Sequence, residues 1–309
     1  MTTCLVLGGS GFIGSHLVEG LLKKGYFVRI FDNFKLGMAN LQTVIDEVEI
    51  VNGDFLNDTD VSQSLKNVDY VFHYISTTVP ATAVRDPIYD VQTNLVSSVK
   101  LLQLAAARKV KKVIFPSSGG TVYGEPKRLP VREADAVSPM DPYGISKLAI
   151  ENYLKYFNND YGLDYIVLRY SNPYGERQNP HGSQGVIPVF LNKIKMGERP
   201  VIYGDGSMVR DYIYVGDAIE ATIAALERNT KDKVFNVGSG EGTSLNQLID
   251  IMSDVVGLQI RPDYVRDSMV RVQKIVLDVS RIREEVGWKP STALQEGIQR
   301  TWRWLNDKP

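Results

Sequence analysis

The sequence predicts a doubly wound α/β fold, a parallel sheet with helices on both faces, followed by a smaller α/β domain. Three observations carry that expectation. Short β-branched runs alternate with longer amphipathic stretches through the first half of the 309 residues. The strand candidates are near-continuously apolar, as strands buried on both faces must be. A glycine-rich turn joins the first strand candidate to the first helix candidate.

Taken in order, the strand at residues 4–7 runs into Gly8-Gly9-Ser10-Gly11-Phe12-Ile13-Gly14, which opens a helix over 12–24. Gly8, Gly11 and Gly14 lack Cβ atoms where a backbone must approach a pyrophosphate, and Phe12 and Ile13 begin the helix whose positive end faces that charge. The strand at 27–31 ends in Asp32, placed to accept hydrogen bonds from the ribose hydroxyls of an adenosine and to repel a 2′-phosphate. This is the pattern of a Rossmann-type domain, and it favours NAD over NADP, with Lys35 pulling the other way. Asn33 joins the same site. After the strand at 48–51, Asp54 and Phe55 are placed to border the adenine, although Asp54 suits a turn or a helix N-cap nearly as well. The strand at 70–74 carries His73, which fits a buried hydrogen-bonding residue. A helix over 93–108, a strand at 113–116, a helix over 146–158 and a strand at 165–169 complete the rhythm. Beyond Asn172 the texture changes to turn-rich pieces such as Asn179-Pro180-His181-Gly182, Gly204-Asp205-Gly206 and Gly238-Ser239-Gly240. A nucleotide-binding domain over 1–171 and a substrate-binding domain over 172–309 are therefore expected, with helices such as 217–226 able to pack back on the first. The cleft between them is the expected site.

Composition excludes several classes. With 35 basic and 36 acidic residues the net charge is -1 and no basic run stands out, so a nucleic acid is not an expected partner. No apolar stretch approaches the roughly 20 residues that cross a bilayer, and no basic region precedes the first strand, which predicts a soluble, unprocessed cytoplasmic protein. The lone Cys4 sits in an apolar run and fits a reducing compartment. His16, His73 and His181 lack partners at metal-ligand spacing, so no metal is expected.

Tyr143-Gly144-Ile145-Ser146-Lys147 puts a tyrosine and a lysine on one face at the start of a helix. A phenol with a pKa of about 10 is a poor base at neutral pH, but an adjacent ammonium and a nicotinamide cation stabilise its phenolate. Taken with Gly8–Gly14, Asp32, Ser117-Ser118-Gly119-Gly120-Thr121-Val122-Tyr123-Gly124, Leu168–Gly175, Gly204–Ile213 and Val286–Pro290, this run resembles the extended short-chain dehydrogenase/reductase family over essentially the whole chain. The resemblance implies that Tyr143 and Lys147 are catalytic and touch a tightly held NAD, with Tyr170 beside it. It implies that Asn172 and Arg210 meet a sugar diphosphate, that one of Arg271 and Arg266 adds a second cation, that Tyr203 borders a uracil, and that Thr78 and Ile275 line a hexose pocket. It also implies a homodimer, through the helices at 93–108 and 146–158 paired into a four-helix bundle.

Within that family the sequence is similar to the UDP-hexose 4-epimerases. Where related 4,6-dehydratases carry an acid this chain has Thr121, which leaves simple oxidation and re-reduction at one sugar carbon. The implied reaction interconverts UDP-GlcNAc and UDP-GalNAc, or UDP-glucose and UDP-galactose, through a 4-keto sugar, and the moderate size of Thr78 and Ile275 leans toward the N-acetylated pair. The alternatives are an oxidoreductase with net redox turnover and an idle NAD-binding scaffold; Tyr143, Lys147 and Arg210 together argue against the scaffold. The hydroxyl that assists Tyr143 is ambiguous. Counting back from Val122-Tyr123-Gly124 reaches Gly119, counting back 25 residues from Tyr143 reaches Ser118, and Thr121 is a third candidate. Ser118 is the expected one.

Overall fold

A computed structural model describes residues 2–35, 37–182, 184–266 and 272–307. Strand β1 (Thr3–Leu7) is buried over its last four residues and turns through the glycines into α1 (Phe12–Lys23), which presents Leu17, Val18 and Leu21 to the sheet. Then follow β2 (Phe27–Asp32), β3 (Glu49–Asn52), α2 (Asp58–Ser64) and β4 (Tyr70–His73). A broken helical stretch comes next: α3 (Pro80–Ala83), α4 (Pro87–Asp90), a π-helical turn at Val91–Val96, and α5 (Ser97–Ala107). Strand β5 (Lys112–Ser118), the long α6 (Pro142–Tyr161) and β6 (Asp164–Tyr170) close the first half. The second half comprises β7 (Asn172–Tyr174), α7 (Val186–Lys195), β8 (Val201–Tyr203), β9 (Val209–Tyr214), α8 (Val215–Glu227), β10 (Val234–Val237), β11 (Gly242–Ser244), α9 (Leu245–Val256), β12 (Asp263–Val265), β13 (Lys274–Ile275), α10 (Ser280–Val286) and α11 (Leu294–Asp307).

Seven parallel strands form the large sheet in the order β10-β6-β5-β4-β1-β2-β3. Strand order reverses between β1 and β4, the point at which α/β sheets bind ligands. Leu7 pairs with both Phe31 and His73, so Gly8, Asp32 and Tyr74 come to the carboxyl edge of the sheet together. Period-two alternation sorts the core. Cys4, Val6, Ile30, Phe72 and Ile114 face one layer with residues of α1 and α8, and Leu5, Leu7, Phe31, Val71 and Phe115 face the other with residues of α5 and α6.

The two halves of the chain are interleaved. Val234–Val237, from the second half, pairs with β6 as an edge strand, and α8 lies on α1 so closely that a Cβ at Gly20 would stand 2.8 Å from Ile223 Cδ1. The return of α8 is in the sequence reading; β10 is not, because a four-residue run joins whichever edge the chain brings it to. A small sheet, β11-β9-β13 with β7 also on β9, and the β8–β12 pair complete the strands. Helix α6 begins earlier than the expected 146 because Asp141 Oδ1 accepts the Gly144 N–H at 2.8 Å and Pro142 fills the first helical position. Among the described residues no helix is long and apolar enough to cross a membrane.

Candidate active site

At the carboxyl edge of β1 the backbone itself shapes a phosphate cradle. Gly8 adopts φ +81, and its missing Cβ would stand 3.0 Å from the backbone after β4; a Cβ at Gly14 would stand 2.1 Å from Gly8 O. Gly11 caps α1 with no side chain, so the first amides of the helix, at Phe12 and Ile13, are left without a side-chain partner. Asp32 Oδ2 accepts both the Ser10 N–H at 3.1 Å and the Ser10 hydroxyl at 2.7 Å, and Oδ1 accepts the Phe34 N–H at 3.3 Å. This cradle and carboxylate fit NAD. Asn33 and Asp54 are exposed and serve turns, accepting the N–H groups of Lys35 at 3.1 Å and Leu56 at 2.9 Å respectively. Phe55 is buried, its ring 5.1 Å from that of His73.

Next to the cradle, α6 presents its first turn. Lys147 is buried and donates from Nζ to Pro116 O at 2.9 Å, 5.5 Å from the centre of the Tyr143 ring. Burial lowers the Lys147 pKa to about 8, against the opposing pull of Asp90 and Glu151. Burial, then Asp141 and Asp90, push the Tyr143 phenol well above its usual range, while a hydrogen bond with Ser76 pulls it back. The resting tyrosine is therefore neutral, and it needs an added positive charge to act as a base. Burial, then Lys147, lowers His73 to about 3; this neutral ring bonds Ser98 Oγ at 2.7 Å through Nε2. His73, Ser76, Asp90, Asn94, Tyr143 and Lys147 line one small cavity.

The three hydroxyl candidates separate clearly. Ser117 donates to Glu151 of α6, so strand alternation turns Ser118 to the other face, where it is half-buried and its Oγ makes no hydrogen bond among the described residues. At Gly119 a Cβ would stand 2.5 Å from Leu277 Cδ1, so no hydroxyl fits there. Thr121 Oγ1 is buried without a partner, with its Cβ 3.1 Å from where a Gly144 Cβ would lie, underneath the start of α6. Ser76, which the sequence reading did not name, lines the same small cavity as Tyr143, and its hydroxyl donates to Thr78 O at 2.9 Å. Its one signal was position, just past a strand ending at the carboxyl edge.

Arg210, on β9 and outside the cavity of Tyr143 and Lys147, donates from Nη1 to Val209 O at 2.8 Å and from Nη2 to Val272 O at 2.7 Å. Asn172 Nδ2 donates to Asp211 O at 2.8 Å, and Tyr203 is exposed. Arg266 is exposed, and Arg271 lies outside the described residues. Two pocket expectations meet a different environment. The Thr78 hydroxyl is buried against Asp90, and Ile275 is buried in a separate cluster with Val122, Tyr123, Val131 and Leu277. Tyr170 points its hydroxyl to Tyr74 at 2.7 Å and Thr222 at 2.5 Å, toward α8.

Residues 4–238 match the model of the NAD dependent epimerase/dehydratase family. A protein of Methanocaldococcus jannaschii described as a putative UDP-glucose 4-epimerase is 40% identical over 304 residues, covering 98% of each chain. The crystal structure of a UDP-glucose 4-epimerase from Thermotoga maritima, with UDP-glucose, superposes with a TM-score of 0.93 at 38% identity and covers 99% of both chains. A UDP-N-acetylglucosamine 4-epimerase from Methanobrevibacter ruminantium, in complex with UDP-N-acetylmuramic acid, superposes with a TM-score of 0.93 at 36% identity, over 100% of this chain and 99% of that one.

Proposed function

Because the chain belongs to the NAD dependent epimerase/dehydratase family, we propose that it is a UDP-hexose 4-epimerase that inverts the C4 hydroxyl through a 4-keto sugar. The observation that carries this reading is the Tyr143–Lys147 pair at the start of α6, in a small cavity also lined by Ile75, whose backbone N would lie 3.0 Å from a Cβ at Gly8 of the nucleotide cradle. NAD, when bound, supplies the hydride acceptor and donor and a positive nicotinamide ring.

Tyr143 takes the proton from the sugar 4-hydroxyl and later returns one to the 4-oxygen. Its phenolate is favoured by the Lys147 ammonium, which Pro116 O orients. Ser118, half-buried at the end of β5, shares that proton with the substrate oxygen in this reading. Asn172 and Arg210 hold the diphosphate, with the guanidinium turning from its carbonyl partners to make charge-assisted bonds. Thr121 supports epimerisation over elimination, since a buried hydroxyl supplies no acid or base for a neighbouring carbon.

The Thr78 hydroxyl is turned to Asp90 and Ile275 packs with Val122 and Leu277, so their size gives no measure of a hexose pocket. UDP-glucose and UDP-galactose are therefore the first substrate pair to test. The second reading, UDP-GlcNAc and UDP-GalNAc, is favoured by the Methanobrevibacter enzyme, 36% identical over 99% of its length. Purified protein incubated with each pair, with no NAD added, and followed by the anomeric proton signals decides between them. Net keto-sugar release that depends on added NAD would replace epimerisation by redox turnover. We further propose a homodimer through α5 and α6, where Ile145, Tyr153 and Tyr156 are exposed on one face of α6.

A further inference from the structure

Asp90 is wholly buried, yet it takes no part in the chemistry just described. Its Oδ1 accepts hydrogen bonds from the Thr78 hydroxyl and from Asn94 Nδ2 at 3.0 Å, and its Oδ2 accepts the Ser146 hydroxyl at 2.5 Å. Asn94 also donates to Thr78 Oγ1 at 2.9 Å and accepts the Thr77 N–H at 2.9 Å. One carboxylate thus joins three pieces of chain: the segment after β4 that carries Ser76, the π-helical turn before α5, and the first turn of α6 between Tyr143 and Lys147. The π turn is what makes this possible, because the widened register brings both Thr93 and Asn94 inward below Asp90.

We infer that Asp90 is a positioning residue for this reaction, a buried carboxylate that fixes the first turn of α6 against the Ser76 segment and so sets where Tyr143 and Lys147 stand. This rests on the epimerase reading above. An uncompensated carboxylate at zero exposure is expensive, and three donors from three elements are what allow it to stay. The arrangement also has an electrical consequence. The charged and titratable groups that face the Tyr143–Lys147 pair are Asp90, Asp141 at the cap of α6, Glu151 two turns along and paired with Arg169 of β6, and the neutral His73 of β4. Among them Asp90 acts on both members, raising the pKa of each. Removing its charge favours the deprotonated form of both, so any titration belonging to the pair moves to lower pH, whichever member controls it.

The test uses NAD-loaded protein and two substitutions. Asp90→Asn keeps acceptor geometry toward Thr78 and Asn94 but removes the charge; it is expected to shift the limb of the kcat–pH profile down by about half a pH unit or more. Asp90→Ala removes the junction itself; it is expected to lower kcat about 10- to 100-fold with KM and NAD content little changed, the cost of a displaced catalytic group. A titration of tyrosinate absorbance, taken as a difference from Tyr143→Phe, reads the same downward shift without substrate. A purely structural role would lower thermal stability in both variants and leave the limb and the tyrosinate titration in place, which would overturn the inference. If Asp90→Ala does not fold, Asp90→Asn alone decides by the direction of its shift. If the wild-type protein epimerises no UDP-hexose, the functional reading fails, and the tyrosinate titration still decides the role of Asp90.

Discussion

Tyr143 is held as a neutral phenol by burial and by two carboxylates, and its use as a base depends on positive charge brought beside it. Tyr143→Phe removes only the hydroxyl, so epimerisation is expected to be lost while NAD content and UDP-sugar binding persist; turnover within a few-fold of wild type would mean that another group is the base. The assisting hydroxyl is less direct, because Ser76 lines the cavity with Tyr143 while Ser118 stands half-buried at the end of β5. Ser118→Ala is expected to lower kcat by about 10²- to 10⁴-fold with little change in KM, the usual contribution of a positioned proton-transfer group. Loss of activity in Ser76→Ala with wild-type kinetics in Ser118→Ala would reassign the role to Ser76. At this scale the sequence reading named Tyr143 and Lys147 because a four-residue spacing on a helix is a local fact. The surroundings of Thr78 and Ile275, one hydrogen-bonded to Asp90 and the other packed with Val122 and Leu277, are set by distant parts of the chain and are not local facts.

The elements are tied at their ends by buried carboxylates and bare backbone. Asp211 of β9 accepts the N–H groups of Ser239 at 2.8 Å, Gly240 at 3.1 Å and Leu277 at 3.2 Å, which locks the turn after β10 and the segment after β13 together. That lock holds Leu277 over Gly119, so the missing side chain at 119 is filled from a distant part of the chain. Gly119→Ser therefore cannot restore a hydroxyl at the family position cheaply. It is expected to destabilise the protein by about 1–3 kcal/mol, the common cost of overpacking, seen as a lower midpoint in thermal or urea unfolding. Unchanged stability together with raised kcat would show that Leu277 yields and that the hydroxyl belongs there. The same scale explains the broken helix before α5. Periodicity over 93–108 reads as one helix, but the chain spends the first part of that stretch on a π turn that turns Thr93 and Asn94 inward.

For the whole molecule, the exposed Ile145, Tyr153 and Tyr156 on α6 leave an apolar face unaccounted for in one chain. Tyr153→Glu is expected to convert a dimer to a monomer in light scattering after size-exclusion, while the NAD content stays as in the wild type; a monomeric wild-type protein would remove the dimer. The sequence by itself determined the doubly wound sheet, the phosphate cradle, Asp32 and the Tyr143–Lys147 pair. Each is written within one turn or one strand, where steric rules and residue spacing act on neighbours. Only the tertiary structure decided that β10 joins the large sheet, that Leu277 covers Gly119, and that Ser76 and Asp90 line one cavity with Tyr143 and Lys147. Those contacts join residues far apart in the chain, and what selects them is the packing of whole layers and the need to pair every buried polar group.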